Sequence, residues 1–201
     1  MKKFCTLYLV RHGETDWNAR KLIQGHKDIP LNEKGRVQAK KLADELKGID
    51  FDKIYSSDLK RASQTAEIIA QERNLKVITS SNLRERDFGI FVGRTFVGEK
   101  NLIKLIKTLQ KSTKEDSRIE NDKNLLKRFA GYIKKISKNN LGKIILVATH
   151  AGTIRALLVS LGWGTYESLI DGCIDNLAYV KLLSDGKKFT IKETFGVAKI
   201  G

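Results

Sequence analysis

Phe4-Cys5-Thr6-Leu7-Tyr8-Leu9-Val10 runs directly into Arg11-His12-Gly13-Glu14-Thr15, and a second apolar run, Ile144 to Ala148, runs into Thr149-His150-Ala151-Gly152. Continuous apolar runs of this length read as strands buried on both faces, as in a parallel sheet covered by helices. Ligands of open parallel sheets bind beyond the carboxyl ends of the strands. If these two strands are neighbours, His12 and His150 meet at one rim with Arg11 beside them. That arrangement is a pocket for a doubly charged anion, with an imidazole placed to attack phosphorus. Either histidine alone reads more simply as structural or exposed. Two of them at equivalent strand ends favour a site.

The rest of the chain alternates short apolar runs with helical periodicity. Asn32 is placed to cap a helix whose inner face is Val37, Ala39, Leu42, Ala43 and Leu46, ending at Gly48. A strand is predicted at 53–56. Asp58 is placed to cap a helix with Leu59, Ala62, Ala66 and Ile69 on one face. A strand near 76–79 follows, then an irregular Gly-rich stretch over 87–100. Leu102, Leu105, Ile106 and Leu109 mark one amphipathic helix, and Leu125, Leu126, Phe129, Ile133 and Ile136 a second, with an exposed loop at 111–121. The 143–149 strand leads to a helix from about Thr153 to Leu161. Two closing strands, 176–183 and 188–194, join at Asp185-Gly186. Pro30, the single proline, marks a turn. The expected fold is a three-layer α/β/α sandwich with a mainly parallel central sheet, one antiparallel edge strand and a small helical lid. Residues 1–201 read as one domain, with the lid inserted at about 90–121.

The chain has 201 residues, of which 41% are hydrophobic, and a formal net charge of +15. This favours a globular fold and anionic partners. The lysines are scattered over helix faces without an Arg-rich block, so the charge is read mainly as surface solvation, and no specific nucleic-acid partner is expected. Cys5 and Cys173 have no redox or metal spacing, which suggests a reducing, cytoplasmic setting. Met1-Lys2-Lys3 before an apolar run resembles the start of a signal peptide, but the run stops at Arg11 with no small-residue cleavage site. No stretch is long enough to span a bilayer. Three histidines without ligand spacing imply no metal site, and no cofactor is expected.

Arg61 falls in the first turn of the helix after Ser56-Ser57-Asp58, where free N–H groups and a positive dipole end would add to its guanidinium. Gly152 would let the next helix begin close to a bound phosphate. Taken with these residues, the chain resembles the histidine phosphatase superfamily, in its cofactor-dependent phosphoglycerate mutase-like branch. The matching pieces are Arg11-His12-Gly13-Glu14-Thr15, Trp17-Asn18, Gln24-Gly25, Ser56 through Ala62, Leu83-Arg84-Glu85 with Phe88-Gly89, and Thr149-His150-Ala151-Gly152. The resemblance implies that His12 is the nucleophile that becomes phosphorylated. It implies phosphate-binding roles for Arg11, Arg61 and His150, and an accessory phosphate contact by Asn18. Glu85 matches the acid that protonates the leaving oxygen. Gln24, Gly25 and Ala151 fall in the substrate-binding motifs, Ala151 through its backbone N–H.

Elementary chemistry agrees with those roles. A phosphoryl group in transfer needs positioning and charge neutralisation above all. Two guanidinium groups supply both, and they disfavour an imidazolium at His12, which keeps its lone pair. His150 is expected to serve as a protonated donor, favoured by bound phosphate. Arg84 and Arg86 are expected to point outward, away from Glu85.

Mutases of this family carry a longer insertion with arginines and a proline-rich segment. Here there is no Arg-Arg pair, and the 94–120 segment is short and lysine-rich. A small lid that admits water implies hydrolysis. The expected activity is therefore a metal-independent phosphatase of acid or neutral type acting on small phosphorylated metabolites. Phosphoglycerate mutase is the alternative, and a non-catalytic phospho-ligand or nucleic-acid binder the more distant one. Phe91-Val92-Gly93 stands where many relatives have Trp-Glu-Gly, which bears on substrate selection. Lys100, Lys104 and Lys107 read as a solvated helix face, His26 as an exposed loop residue, and Gly13 as serving a tight turn. The chain is expected to be a monomer or homodimer.

Overall fold

The computed structural model describes residues 3–71, 73–95, 119–169 and 173–199. Six strands, β1 (Cys5–Arg11), β2 (Lys53–Ser57), β3 (Val77–Ser80), β4 (Ile144–Thr149), β5 (Ile174–Ser184) and β6 (Phe189–Val197), form one sheet. The described helices are α1 (Asp16–Ala19), α2 (Glu33–Glu45), α3 (Lys60–Gln71), α4 (Asp122–Asn139) and α5 (Ala151–Ser160). The strand order is β3-β2-β4-β1-β5-β6. β3, β2, β4 and β1 are mutually parallel, whereas β5 runs against β1 and β6 against β5. The antiparallel edge is thus a hairpin, with β6 covering β5.

The two apolar runs are neighbours, as their composition suggests. Arg11 pairs with Thr149, so His12 and His150 follow at the same level of one rim. β2 lies on the other side of β4 and delivers Ser57 and then α3 to that rim. Pleating sends alternate side chains to opposite faces. Leu7, Leu9, Ile145 and Val147 pack with Phe129, Ile133 and Ile154 of α4 and α5. Tyr8, Val10, Leu146 and Ala148 pack with Ala39, Leu42, Ala66 and Ile69 of α2 and α3. Each fully buried Leu, Ile, Val or Phe among these contributes about 1.5–3 kcal/mol.

The structure departs from expectation at several local points. Val37 is 58% exposed, and the inner face of α2 is instead Gly35, Ala39, Leu42 and Ala43. Two residues is about 200° of helix, so Val37 and Ala39 cannot share a face. Asp58 does not cap α3. Asp28 accepts the Lys60 N–H at 2.7 Å, and Asp58 is committed to Arg84. α5 begins at Ala151, directly after His150. The expected helix at 102–109, the lysines 100, 104 and 107, and most of the 90–121 lid lie outside the described residues.

Gly13 does not sit in a positive-φ turn. A Cβ there would come within 2.5 Å of the Gly35 carbonyl oxygen. Its lack of a side chain lets the loop after β1 lie directly on the amino end of α2.

Candidate active site

Arg11, His12, Asn18, Gln24, Gly25, Arg61, Glu85 and Ala151 line one cleft at the carboxyl rim of the sheet. His150 lies beneath it, fully buried, its ring centroid 5.2 Å from that of His12. These nine residues, proposed from sequence as catalytic or substrate-binding, therefore lie together at one rim.

The orientation of His12 is fixed from its far side. Its Nδ1 lies 2.7 Å from the Gly13 carbonyl oxygen, which only accepts, so Nδ1 carries the proton and Nε2 the lone pair. That Nε2 faces Arg61, whose Nε–H is shared between His12 Nε2 and His150 Nδ1, each at 3.2 Å. Because His150 accepts at Nδ1, its own proton sits on Nε2, a buried atom without a hydrogen-bond partner among the described residues. Gln24 Oε1 is a second such atom. Unmatched buried polar atoms of this kind are costly unless a ligand meets them.

Arg61 is fully buried. Its fork donates to the carbonyls of Lys27 and Gly25, both at 2.8 Å. Burial pulls its pKa down to about 10, so it remains charged at neutral pH. Burial, then the positive field of Arg61, holds both imidazoles well below the ordinary histidine value. Arg11 adds to that field at each of them. His12 is neutral, as expected. Burial and Arg61 push His150 the same way, against the protonated donor that bound phosphate is expected to favour. A neutral His150 with its proton on Nε2 is already a hydrogen-bond donor.

Glu85 is buried at the amino end of α5. One carboxylate oxygen accepts from the Gly152 N–H at 3.0 Å, the other from the Arg86 N–H at 2.7 Å. A Cβ at Gly152 would stand 2.4 Å from Glu85 Oε1, so that glycine makes room for the acid. Asn18 spends its amide oxygen on the backbone and hydroxyl of Thr15. Any ligand contact it makes must come from its NH2 group.

Arg84 and Arg86 do not both point outward. Arg84 forms a bidentate pair with Asp58. Arg86 is 1% exposed and points into the protein, where Asp122, Tyr166 and the Glu120 carbonyl receive its fork. Asp122 neutralises it, which sequence spacing could not reveal. His26 is half-buried and not simply exposed, with Nε2 2.7 Å from the Glu85 carbonyl oxygen. Sequence reading also passed over Arg155, Leu22 and Ile23, which line the cleft together with Phe88. Arg155 stands one turn beyond Ala151 on α5, and i, i+4 spacing was the signal available. Among the described residues no cluster of three His, Cys, Asp or Glu is arranged to hold a metal ion, and no helix is long and apolar enough to cross a membrane.

Comparison with known proteins agrees with the fold and with the family resemblance. The family model of the histidine phosphatase superfamily (branch 1) matches residues 7–195. The chain is 32% identical over 194 residues to the uncharacterized phosphatase PhoE of Bacillus subtilis, covering 92% of this chain and 91% of that protein. It is 35% identical over 195 residues to phosphoglycerate mutase-like protein 4 of Arabidopsis thaliana, covering 94% and 84%. A solved structure of an Entamoeba histolytica phosphoserine phosphatase mutant in complex with phosphoserine superposes with a TM-score of 0.80 at 28% identity, covering 94% of this chain and 96% of that one.

Proposed function

The chain belongs to branch 1 of the histidine phosphatase superfamily, and on that premise we propose that it hydrolyses small phosphomonoesters through a phosphohistidine on His12, without a metal ion. The observation that carries this is the His12 tautomer: Nδ1 is committed to Gly13, and the Nε2 lone pair faces a cleft lined by Arg11 and Arg61. Arg11, Arg61 and the Nε2–H of His150 receive the phosphoryl oxygens and neutralise their charge. His12 Nε2 bonds to phosphorus as the ester P–O bond breaks, and Glu85 gives its proton to the departing oxygen. Water then loses a proton to Glu85 and attacks phosphorus, which releases phosphate and returns His12 to its neutral state.

Arg155 adds a cation to the cleft lining, in keeping with small anionic metabolites as substrates. A cytoplasmic setting is supported by two free, buried cysteines. The reading is tested by His12→Ala. Phosphate release from an aryl phosphate should fall to background in the variant, while the wild type keeps full rate in a chelator. An active His12→Ala protein refutes the assignment. The likeness to a phosphoglycerate mutase-like protein supports a second reading. Bisphosphate-primed interconversion of phosphoglycerates faster than phosphate release would establish it.

A further inference from the structure

The start of β5 reaches across to the dipeptide Arg11-His12. β5 pairs regularly with β1 from Cys5 opposite Ser184 to Val10 opposite Tyr179, and there the ladder stops. Beyond it, the Asn176 side-chain amide donates to the His12 carbonyl at 2.9 Å, in place of a backbone N–H. The Ile174 carbonyl accepts from the Arg11 guanidinium. Between these contacts and the regular ladder lies Leu177, a buried non-glycine residue at φ 62°. The pairing of β5 with β6 also shifts register between Ile174 and Tyr179. An unfavourable left-handed backbone persists only where surrounding contacts over-determine it. Here it turns the strand so that a side chain, not the main chain, meets His12.

We propose that Asn176 is a positioning residue for the nucleophile, an inference that rests on His12 having that role. The His12 carbonyl and the Gly13 N–H belong to one planar peptide unit. Asn176 holds the carbonyl, and Thr65 Oγ1 accepts from the Gly13 N–H at 3.1 Å. On the other side of β1, the Thr149 carbonyl accepts from the His12 N–H at 3.0 Å. That peptide unit leads to the Gly13 carbonyl, which in turn fixes the imidazole through Nδ1. Removing Asn176 frees one end of the unit and lets Gly13 swing, and the ring with it. The nucleophile loses its aim while Arg11 and Arg61 still grip the phosphoryl group.

The test compares Asn176→Ala, and the equal-sized Asn176→Asp, with the wild type. Misplacing a reacting group by about 1 Å costs about a hundredfold in rate. Partial freedom of the ring should therefore lower kcat for phosphate release by about ten- to a hundredfold, with KM within twofold. Orthovanadate, which becomes five-coordinate by bonding to the imidazole, should inhibit the variants more weakly by a similar factor. Inorganic phosphate, held by Arg11, Arg61 and His150 without a bond to His12, should inhibit them as it does the wild type. A purely structural role would weaken both inhibitors together. Unchanged kcat in a folded variant, or equal weakening of vanadate and phosphate, overturns the proposal. His12→Ala run in parallel separates the two ideas: if that variant is dead and both Asn176 variants are normal, only the positioning role fails.

Discussion

Replacing Gly152 by alanine should disable the acid while leaving the nucleophile intact. The added Cβ would stand 2.4 Å from Glu85 Oε1, where ordinary contact begins at 3.4 Å, so the carboxylate must retreat by about 1 Å (3.4 minus 2.4). The backbone of Glu85 cannot yield, because Arg128 and His26 both bond its carbonyl. The side chain must rotate, breaking its bond to the Gly152 N–H. A misplacement of about 1 Å costs about a hundredfold, within the 10²–10⁴ range of general acid catalysis. A hundredfold is about 2.7 kcal/mol of barrier. Alkyl phosphates need a protonated leaving oxygen and should lose that full factor in kcat. Aryl phosphates with good leaving groups depart without the proton and should lose less than about tenfold. Fold stability should hold, because alanine in a first helical turn is favoured over glycine by up to about 1 kcal/mol. The assay is phosphate release from a matched series of alkyl and aryl esters. Equal loss across the series, or no loss on alkyl esters, would refute the reasoning.

Two further outcomes follow from the buried charges. His12 and His150 are held neutral by burial and by Arg61, with folded pKa values well below 6.5. The unfolded chain binds the extra protons, so stability is full above pH 6.5 and is lost as pH falls from there toward the folded values, at up to about 1.4 kcal/mol per pH unit for each histidine. Urea midpoints should drop between pH 7.5 and 5.5, and an unchanged midpoint would contradict the buried neutral pair. Asp122→Ala leaves the 1%-exposed Arg86, among the described residues, with Tyr166 and the Glu120 carbonyl. The expected loss is about 3 kcal/mol, the low end for a broken buried ion pair because Asp122 is itself 30% exposed. A loss below about 1 kcal/mol in urea unfolding would show that Tyr166 carries the pairing instead.

The parts of the fold that sequence reveals are those with a period. β1 and β4 are legible because burial on both faces makes Leu7 to Val10 and Ile144 to Ala148 continuous apolar runs. α2, α3 and α4 are legible because their inner residues recur at helical spacing. Position along the chain also placed His12, His150 and Arg61 at one rim, since all three follow parallel strands. Polar partnerships have no period. Asp28 caps α3 from a distant loop, Asp58 serves Arg84, and Asp122 draws Arg86 inward. Each joins residues at least 26 positions apart in sequence, so local reading assigned Asp58 to the nearest helix and Arg86 to solvent. The irregular start of β5 is illegible for the same reason: nothing local to Asn176 or Leu177 marks the carbonyl that the amide meets.

The division of labour between the two histidines is the clearest case of structure adding what sequence lacks. Both follow buried strands, both precede small residues, and by position either is a candidate nucleophile. Their hydrogen bonds break the equivalence. Gly13 offers His12 an acceptor, which places the His12 proton on Nδ1 and leaves Nε2 able to attack. Arg61 offers His150 a donor, which places the His150 proton on Nε2 and makes that nitrogen a donor. The remaining bonds of Arg61 go to the Gly25 and Lys27 carbonyls, and the carboxylates of Glu85 and Asp28 act on it through space without a hydrogen bond. With the field of Arg61 intact both rings stay neutral, and a neutral ring has one nitrogen for each task. Protonating either would cost the site a function only at His12, where the lone pair is lost. At His150 an added proton on Nδ1 would instead confront the Arg61 Nε–H donor to donor. On the proposed mechanism, the guanidinium that would receive the phosphoryl group also keeps one imidazole unprotonated and fixes the other as a hydrogen-bond donor.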